Sequence, residues 1–408
     1  MRVNNSFHLS YCTNIHPGES WEEVFNNLKK YLPGLKSRLS PDQPFGIGLR
    51  LSNAASQELE GSEAVSVFKE WLYKHGLYVF TINGFPFGGF HHQVVKENVH
   101  TPDWTTYDRL AYTKRLAWIL AELLPEGMEG GISTSPLSYK PWCKNEQELK
   151  ELFEGTTANL LQVVEELQLI KSRTGKLIHI DIEPEPDGVL ENSDEVIHYF
   201  KQWLLPKAIE KFAQPGKLSI PETETTVFNH VQVCYDVCHF ALAYEQPSVV
   251  LPKLTAAGIK IGKIQFSSAL KVKIPTDSSA KTALSQVLAP FMESTYLHQV
   301  VARDAKGELT HYADLPLALA KINEASATEW RIHFHVPLFT GTYQGLESTQ
   351  KDIEEVIAYL IDQPITQHLE VETYTWEVLP PELKTDLLQS IQRELDWVTA
   401  QLKQLEYA

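Results

Sequence analysis

The segment 176–186, KLIHIDIEPEP, decides the fold class, because an apolar strand in it is followed directly by two glutamates among prolines. Its first residues are apolar or β-branched, which is typical of a short strand with little exposed surface. Period-two alternation places Asp181 and Glu183 on one face of this strand and the two isoleucines on the other. The prolines prevent further ladder pairing, so Glu183 lies at the carboxyl end of the strand and Glu185 just beyond it.

Seven further runs have the same strand character, and each is followed by a segment with helical spacing of apolar residues. The eight predicted strands span 7–12, 45–51, 77–83, 130–135, 176–183, 230–236, 260–268 and 367–374. Strands that alternate with helices pair in parallel through right-handed crossovers. We therefore predict an α/β fold, a single (β/α)8 TIM barrel over residues 1–408. An open doubly wound sheet is the alternative.

The spacing between the seventh and eighth strands is about a hundred residues, far more than a simple crossover needs. Two short β-type runs flank Asp304–Gly307, which predicts a hairpin, and 331–337 reads as an additional short strand. We interpret 268–330 as an insertion of a hairpin plus helices. An insertion after a barrel strand extends the C-terminal face, where TIM-barrel active sites lie.

Composition excludes several classes of protein. The 408 residues carry 36 Lys and Arg against 52 Asp and Glu, a formal charge of −16, which argues against binding to a nucleic acid backbone. Four scattered cysteines do not make a disulfide framework. No apolar stretch is long enough for a membrane span and the N-terminus lacks a signal-peptide pattern, so we expect a cytoplasmic protein.

Polar residues recur at the carboxyl ends of the predicted strands. Asp236 ends the sixth strand with His239 three residues on, and Glu372 lies near the tip of the eighth. Gln265 occupies the analogous site on the seventh strand, and the additional strand carries His333 and His335. Unpaired carboxylates around one barrel axis are costly, so a divalent cation is the natural compensation. The alternative is an acidic rim that is hydrated or paired with Lys and Arg.

Three of these segments, IDIEPEP, VCYDVCHF (233–240) and LEVETYTW (369–376), together resemble the metal-site framework of the xylose isomerase-like TIM-barrel superfamily. The resemblance implies one divalent ion held by Glu183, Asp236, Gln265 and Glu372, with His239 beside it. A neutral amide at Gln265 is a weaker ligand than the imidazole or carboxylate usual there. Either the site binds more weakly, or His333 and His335 compensate.

The mixed oxygen and nitrogen donors favour manganese or zinc. Neutral imidazole is the ligand form, so binding is expected to tighten as pH rises through the histidine range.

A further resemblance, to EboE-type metabolite traffic proteins of the same superfamily, rests on 83–104, IDIEPEP, RIHFHVPLF (331–339) and LEVETYTWEVLP (369–380). Those proteins are associated with export of an isoprenoid-type precursor, which implies a small-molecule substrate and allows a protein partner in a transport pathway. The 83–104 loop follows the third strand, so its aromatic residues are expected above the polar site, where they either cover an apolar substrate or pack into the rim as a local core. We expect substrate contacts from Glu185, Asn83, Phe85 and Trp376.

Two classes of function follow. In an isomerase or epimerase acting on a small polyol or carbonyl metabolite, the resemblance implies that Glu183 and Glu372 move a proton. His239 then orients a substrate oxygen or donates a proton to it. Metal-dependent hydrolysis is a variant of this reading. The alternative is a non-catalytic small-molecule or partner-binding protein of the transport pathway, which the weak ligand Gln265 favours.

Overall fold

Eight parallel strands form the barrel that the sequence predicts. The computed structural model describes residues 1–4, 6–61, 63–91, 94–324, 326–377, 379 and 386–406. The barrel strands are β1 (Phe7–Tyr11), β2 (Phe45–Arg50), β3 (Leu77–Asn83), β4 (Gly130–Thr134), β5 (Ile178–Ile182), β6 (Val231–Asp236), β7 (Ile261–Phe266) and β8 (His368–Val371). Each strand from β2 to β8 pairs in parallel with its neighbour in the chain, and β8 pairs with β1. The α/β barrel is thereby confirmed over the open sheet.

Helices cover the outside of the barrel and bury their apolar stripes against the strands. Those described span Trp21–Leu39, Asn53–Leu59, Glu63–Lys74, Tyr107–Leu123, Glu146–Thr174, Ser193–Tyr199, Leu205–Phe212, Ile220–His230, Val237–Leu242, Pro247–Ala256, Ser278–Leu288, Leu315–Ala320, Gln350–Asp362 and Leu387–Glu406. The first of them begins at a capping box formed by Ser20 and Glu23, a pattern that the sequence itself contains. In the described part of the chain, no helix is long and apolar enough to cross a membrane.

The barrel closes between β1 and β2 through a side chain instead of a full ladder. Ser10 Oγ accepts a hydrogen bond from Gly48 N at 2.9 Å and donates one to the Gly46 carbonyl at 2.9 Å. A single parallel bridge joins Cys12 to Gly48 just above it. Glycine is required at position 48 because a Cβ there would overlap the Glu370 carboxylate inside the barrel.

The barrel interior is polar below the mouth and is neutralised by internal pairs. Lys263 Nζ lies 2.6 Å from Glu370 Oε2 and 3.1 Å from Ser133 Oγ, and neither member of the ion pair is exposed. Asp181 accepts a hydrogen bond from His179 Nδ1 at 2.6 Å. The alternation that the sequence predicts therefore directs Asp181 and Glu370 inward, but each has its own partner. Asp181 Oδ2 and Glu370 Oε1 have no hydrogen-bond partner, but neither residue lines the pocket at the mouth of the barrel.

The chain between β7 and β8 builds a second, antiparallel sheet. Its six strands are Ala269–Lys273, Val300–Asp304, Leu309–Tyr312, Ala327–His335, Thr342–Tyr343 and Leu346–Ser348. Val300–Asp304 and Leu309–Tyr312 make the hairpin expected around Asp304–Gly307. The sequence indicates only one short additional strand here, whereas Ala327–His335 is nine residues long and pairs on both sides. This sheet stands on the C-terminal face of the barrel and brings 333–335 to the mouth.

Helix boundaries differ from what apolar spacing alone predicts. The spacing of 193–213 predicts one helix, but a π-helical turn at Phe200–Leu204 interrupts it. A further helix, Ile220–His230, begins at a capping box of Ser219 and Glu222. The sequence also predicts helices after Ser62 and over 381–404, but Ser62 and residues 381–385 lie outside the described residues.

The buried Lys263–Glu370 pair generates a prediction about stability. Lys263→Ala should lower the free energy of unfolding by about 3–5 kcal/mol, because it leaves Glu370 buried and uncompensated. Urea denaturation followed by tryptophan fluorescence measures the change. Lys74→Ala is the control: it removes an exposed pair with Glu70 and should leave the midpoint where it is. Equal midpoints for both variants would contradict the role of the pair.

Candidate metal centre

A pocket opens at the C-terminal mouth of the barrel and holds about 590 Å³ of space, its open rim included. Its polar floor is formed by Glu183, Glu185, His239, His333 and Glu372. The walls are mainly apolar and come from the loop after β3, the insertion and the segment after β8. The wall and rim residues are Asn14, Asn83, Phe85, Pro86, Phe90, Val95, Lys96, Val99, His100, Tyr296, Leu297, Gln299 and Tyr374. A concave site with apolar walls and a few convergent polar groups is the usual form of a small-molecule site.

Asp236 and His239 are held together by the start of a helix. Asp236 ends β6 and caps the helix Val237–Leu242, because its Oδ1 accepts a hydrogen bond from His239 N at 3.2 Å. Ser267 Oγ donates to the same oxygen. Asp236 Oδ2 is buried and has no hydrogen-bond partner. The DxxH spacing thus fixes one carboxylate oxygen and leaves the other free to bind a ligand.

Glu183 and Glu185 extend from the end of β5. Glu183 N donates to the Thr134 carbonyl at 2.9 Å, so pairing with β4 continues one residue past the strand. Glu185 lies in the turn beyond Pro184, where its N donates to the Leu190 carbonyl at 3.2 Å. Both carboxylates are buried, 3 % and 6 % exposed, and each has one oxygen without a hydrogen-bond partner.

Glu372 follows β8 and faces these groups across the mouth. Its Oε1 accepts a hydrogen bond from Asn14 Nδ2 at 2.7 Å, and its Oε2 lies 3.6 Å from His335 Nδ1. The strand that carries His333 and His335 shifts register against Ala269–Lys273 between Ile332 and His335. Both imidazoles are buried at this irregular end of the strand.

Hydrogen bonds to carbonyl oxygens fix the tautomer of three histidines. The Nδ1 atoms of His239 and His335 lie 3.1 and 2.9 Å from the carbonyls of Pro184 and Glu372. His333 Nδ1 lies 2.9 Å from Gln299 Oε1. A carbonyl oxygen only accepts, so each Nδ1 carries the proton and each Nε2 presents a lone pair. Ring nitrogens oriented by a carbonyl in this way are typical of histidines that bind metals.

The free donor atoms lie close enough to share a cation. Three trios have one donor atom each within 4.8 Å of one another: Asp236 with His239 and His335, Glu185 with His239 and His333, and Cys238 with His333 and His335. The Nε2 atoms of His333 and His335 have no hydrogen-bond partner. Buried lone pairs without partners are expensive unless an ion or water satisfies them, so the donor set fits a divalent metal.

The negative charge of the carboxylates at the mouth also favours a divalent metal. The carboxylates of Glu183, Glu185, Asp236 and Glu372 have no Lys or Arg partner among the described residues. Burial, reinforced by the charge of Asp236, raises the pKa of Glu183, Glu185 and Glu372 well above the usual range. Burial also lowers the pKa of His335 to about 4, so this imidazole is neutral near pH 7 and offsets no charge.

The residues that the sequence predicts for the site fall into three groups. Glu183, Asp236, Glu372, His239, His333 and His335 lie at the mouth, and Glu185, Asn83 and Phe85 line the pocket. Gln265 is the register partner of Asp236 but does not line the pocket, and its Oε1 accepts a hydrogen bond from the Cys234 thiol. Trp376 is buried near Phe339 and does not line the pocket, because the chain turns away from the mouth after Tyr374.

Sequence reasoning missed several contributors to the site. Asn14 follows β1 and holds Glu372, Gln299 orients His333, and His100 Nε2 lies 3.1 Å from Glu185 Oε1. These are isolated polar residues in loops with no spacing pattern to mark them. Cys238 lies inside VCYDVCHF, but a lone thiol in an apolar helix reads as core.

The raised carboxylate pKa values generate a prediction about pH. A carboxyl group with a higher pKa in the folded chain binds more protons when folded, so the free energy of unfolding falls as pH rises above the ordinary value of 4.5. The carboxylate contribution to the thermal midpoint of chelator-treated protein should therefore fall as pH rises, and added zinc should reverse the fall. His335 acts in the opposite direction below pH 6.5, because the unfolded chain then binds a proton that the buried imidazole, with its pKa lowered to about 4, does not bind. The carboxylate contribution is therefore measured as the difference between the parent chain and a carboxylate variant from pH 5 to pH 8.

Differential scanning calorimetry of Glu372→Gln tests the assignment, since removal of one carboxylate should reduce the fall. Glu70→Gln, on an exposed helix, is the control and should behave as the parent chain. A fall of the same size in all three proteins would contradict the assignment.

Comparison with known proteins agrees with the barrel. No family model and no curated protein matches the sequence. Among solved structures, a xylose isomerase-like TIM-barrel protein from Mycobacterium smegmatis in complex with magnesium is 11 % identical, with a TM-score of 0.52 and 100 % of both chains covered. A D-tagatose 3-epimerase-like protein is 9 % identical, with a TM-score of 0.50 and 98 % of this chain and 99 % of that chain covered. The protein thus shares the fold of xylose isomerase-like TIM barrels.

Proposed function

We propose that this protein is a divalent-metal-dependent isomerase or epimerase acting on a small, uncharged polyol or carbonyl metabolite. The observation that carries the proposal is the pocket floor of buried carboxylates and oriented imidazoles, formed by Glu183, Glu185, Glu372, His239 and His333. Asp236 and His335 adjoin this floor, with donor atoms within 4.8 Å of a donor atom of His239. Asp236, Glu183, Glu372 and His335 would hold the cation. When bound, such an ion polarises vicinal substrate oxygens and stabilises negative charge that develops on them.

His335 replaces the ligand that the seventh strand lacks. Gln265 is occupied by the Cys234 thiol, whereas His335 Nε2 is free and its ring lies beside Asp236 and Glu372. The insertion therefore supplies a nitrogen donor in place of the barrel strand. This supports the reading in which the histidines of the insertion compensate for Gln265.

Glu183 and Glu372 are placed to move a proton. They follow β5 and β8, which are separated by two strands around the barrel, and both line the pocket. A substrate between them presents opposite faces to the two carboxylates, so one can remove a proton from the carbon next to a carbonyl and the other can return it. Burial and the charge of Asp236 raise the pKa of both carboxyl groups, which makes each carboxylate a stronger base toward a proton on carbon.

The pocket walls restrict the substrate. Lys96 is the one cation among the described lining residues, and it is paired with Asp314. An anionic group such as a phosphate would therefore find no free Lys or Arg side chain among the described lining residues. Phe85, Phe90 and Tyr296 instead offer apolar surfaces against which a sugar ring or another weakly polar body can lie.

Solvent exchange tests the reaction. The zinc- or manganese-loaded protein should incorporate deuterium from D2O at one carbon of an unphosphorylated ketose, aldose or cyclic polyol, as measured by proton NMR. Glu183→Gln and Glu372→Gln should each slow this exchange by about 100-fold or more. Glu22→Gln, exposed on the first helix, is the control and should retain the parent rate.

The same experiment tests the non-catalytic alternative. A role in metabolite traffic, as the sequence resemblance implies, needs binding without exchange. Saturable binding of a small isoprenoid-type or polyol ligand by the loaded protein, with no deuterium incorporated into any substrate of the panel, would replace the enzyme proposal with the binding one.

A further inference from the structure

Two of the proposed ligands lie in chain segments that belong to different sheets. His335 ends the insertion strand and begins the segment 335–338, whereas Glu372 directly follows β8 and begins the segment 372–375. Among the described residues, no backbone hydrogen bond joins the two segments. The spacing of the two ligands therefore depends on side chains that connect the segments.

Two side-chain hydrogen bonds run directly between the segments. His335 Nδ1 donates to the Glu372 carbonyl at 2.9 Å, and Thr375 Oγ1 donates to the His335 carbonyl. Each bond ends on the backbone of a ligand residue, so the pair determines how the segments cross. Thr373 and Leu338 take no part in these bonds and are joined by a third side chain.

The third side chain is Glu394, which comes from the C-terminal helix, Leu387–Glu406. Its Oε1 accepts a hydrogen bond from Leu338 N at 3.1 Å and another from Thr373 Oγ1 at 2.8 Å. One oxygen thus bridges the two segments. Glu394 is only 1 % exposed, and a carboxyl group at such a depth is costly unless it is hydrogen-bonded.

We propose, on the basis of the proposed metal centre, that Glu394 is a positioning residue for Glu372 and His335. Thr373 is the next residue after Glu372, and Leu338 lies three residues after His335. A bridge between Thr373 and Leu338 therefore holds both ligands from behind, outside the pocket. Partners of this kind fix the orientation of metal ligands, and their loss commonly weakens metal binding about 10–100-fold.

A neighbouring contact strengthens the attachment of the helix to the insertion. Arg393 Cζ lies 3.9 Å from the centroid of the Phe339 ring, a distance at which a guanidinium and an aromatic face attract each other. Adjacent residues of the helix thus contact adjacent residues of the insertion, Arg393 at Phe339 and Glu394 at Leu338. The C-terminal helix holds the end of the insertion against the segment after β8.

The bridge needs an acceptor oxygen at Glu394 and does not need a full negative charge. Burial raises the pKa of Glu394 to about 7, and Oε1 accepts hydrogen bonds whether or not the other oxygen carries a proton. The amide of Glu394→Gln presents the same oxygen, so this variant should preserve the bridge. Glu394→Ala removes it.

Zinc affinity tests the role of Glu394, measured on chelator-stripped protein in competition with a chromophoric chelator. Glu394→Ala should bind zinc about 10–100-fold more weakly than the parent chain, because both ligands lose a shared support. Glu394→Gln should bind zinc as the parent chain does. Leu395→Ala is the matched control: it leaves a cavity under the same helix, lowers stability without removing the bridge, and should keep the parent affinity.

The visible spectrum of the cobalt-loaded protein reports the coordination geometry. Glu394→Ala should change the cobalt absorption bands, whereas Leu395→Ala should give the parent spectrum. Parent-like zinc affinity in Glu394→Ala overturns the proposal. Equal weakening in Glu394→Ala and Leu395→Ala also overturns it, as does equal weakening in Glu394→Ala and Glu394→Gln.

A second variant covers the case in which circular dichroism shows Glu394→Ala to be unfolded. Thr373→Val keeps the shape of the side chain and removes one of the two hydrogen bonds to Glu394. Weaker zinc binding by folded Thr373→Val then supports the bridge, and unchanged zinc binding overturns it.

Hydrogen exchange of the metal-free protein separates this proposal from the proposed function. Peptides that cover 335–340 and 369–376 should exchange faster in Glu394→Ala or Thr373→Val than in the parent chain, and at the parent rate in Glu394→Gln. A parent chain that binds no zinc contradicts the proposed metal-dependent function, and the exchange then decides the bridge alone. Faster exchange in both peptides supports it, and parent-like exchange overturns it.

Discussion

The need to compensate four buried carboxylates at one end of a barrel governs this structure. Glu183, Glu185, Asp236 and Glu372 come from three strands and are brought together by parallel register alone. Deeper in the barrel the same problem is solved within the protein, where Lys263 neutralises Glu370 and His179 hydrogen-bonds to Asp181. At the mouth no Lys or Arg pairs with these carboxylates among the described residues, although His100 Nε2 lies 3.1 Å from Glu185 Oε1. The buried imidazoles of His333 and His335 present lone pairs there. The lower layer therefore stabilises the fold, and the upper layer is the one that we propose binds a ligand.

The insertion after β7 changes how the mouth is completed. In a simple barrel each strand ends in its own ligand, but here β7 offers an amide that a neighbouring thiol occupies. The second sheet contains the nine-residue strand Ala327–His335. His333 and His335 lie at the end of this strand, where its pairing register shifts. The same insertion supplies Tyr296 and Gln299, which belong to the pocket wall and to the support of His333. One added sheet therefore contributes two of the proposed ligands, the residue that orients His333, and part of the pocket wall.

The sequence predicts the features that depend on neighbouring residues and not those that depend on contacts between distant parts of the chain. The eight barrel strands and the face on which Asp181, Glu183, Glu370 and Glu372 lie follow from period-two alternation, which every strand obeys independently of its neighbours. Of the second sheet, the sequence predicts only a hairpin and a short strand. The paired strands are separated by 20 to 80 residues, so their pairing leaves no local pattern. For the same reason the sequence placed Gln265 in the metal set and Trp376 in the pocket. The thiol that occupies Gln265 and the turn that removes Trp376 are tertiary contacts.

The most direct test of this account is anomalous X-ray diffraction from crystals of the protein grown with excess zinc, with data collected on both sides of the zinc absorption edge. The account predicts an anomalous peak in the barrel mouth within bonding distance of Asp236 and Glu372, with the side chain of Gln265 outside the coordination shell. The absence of any peak there, with Glu183 and Glu372 turned outward to Lys or Arg partners, would contradict it.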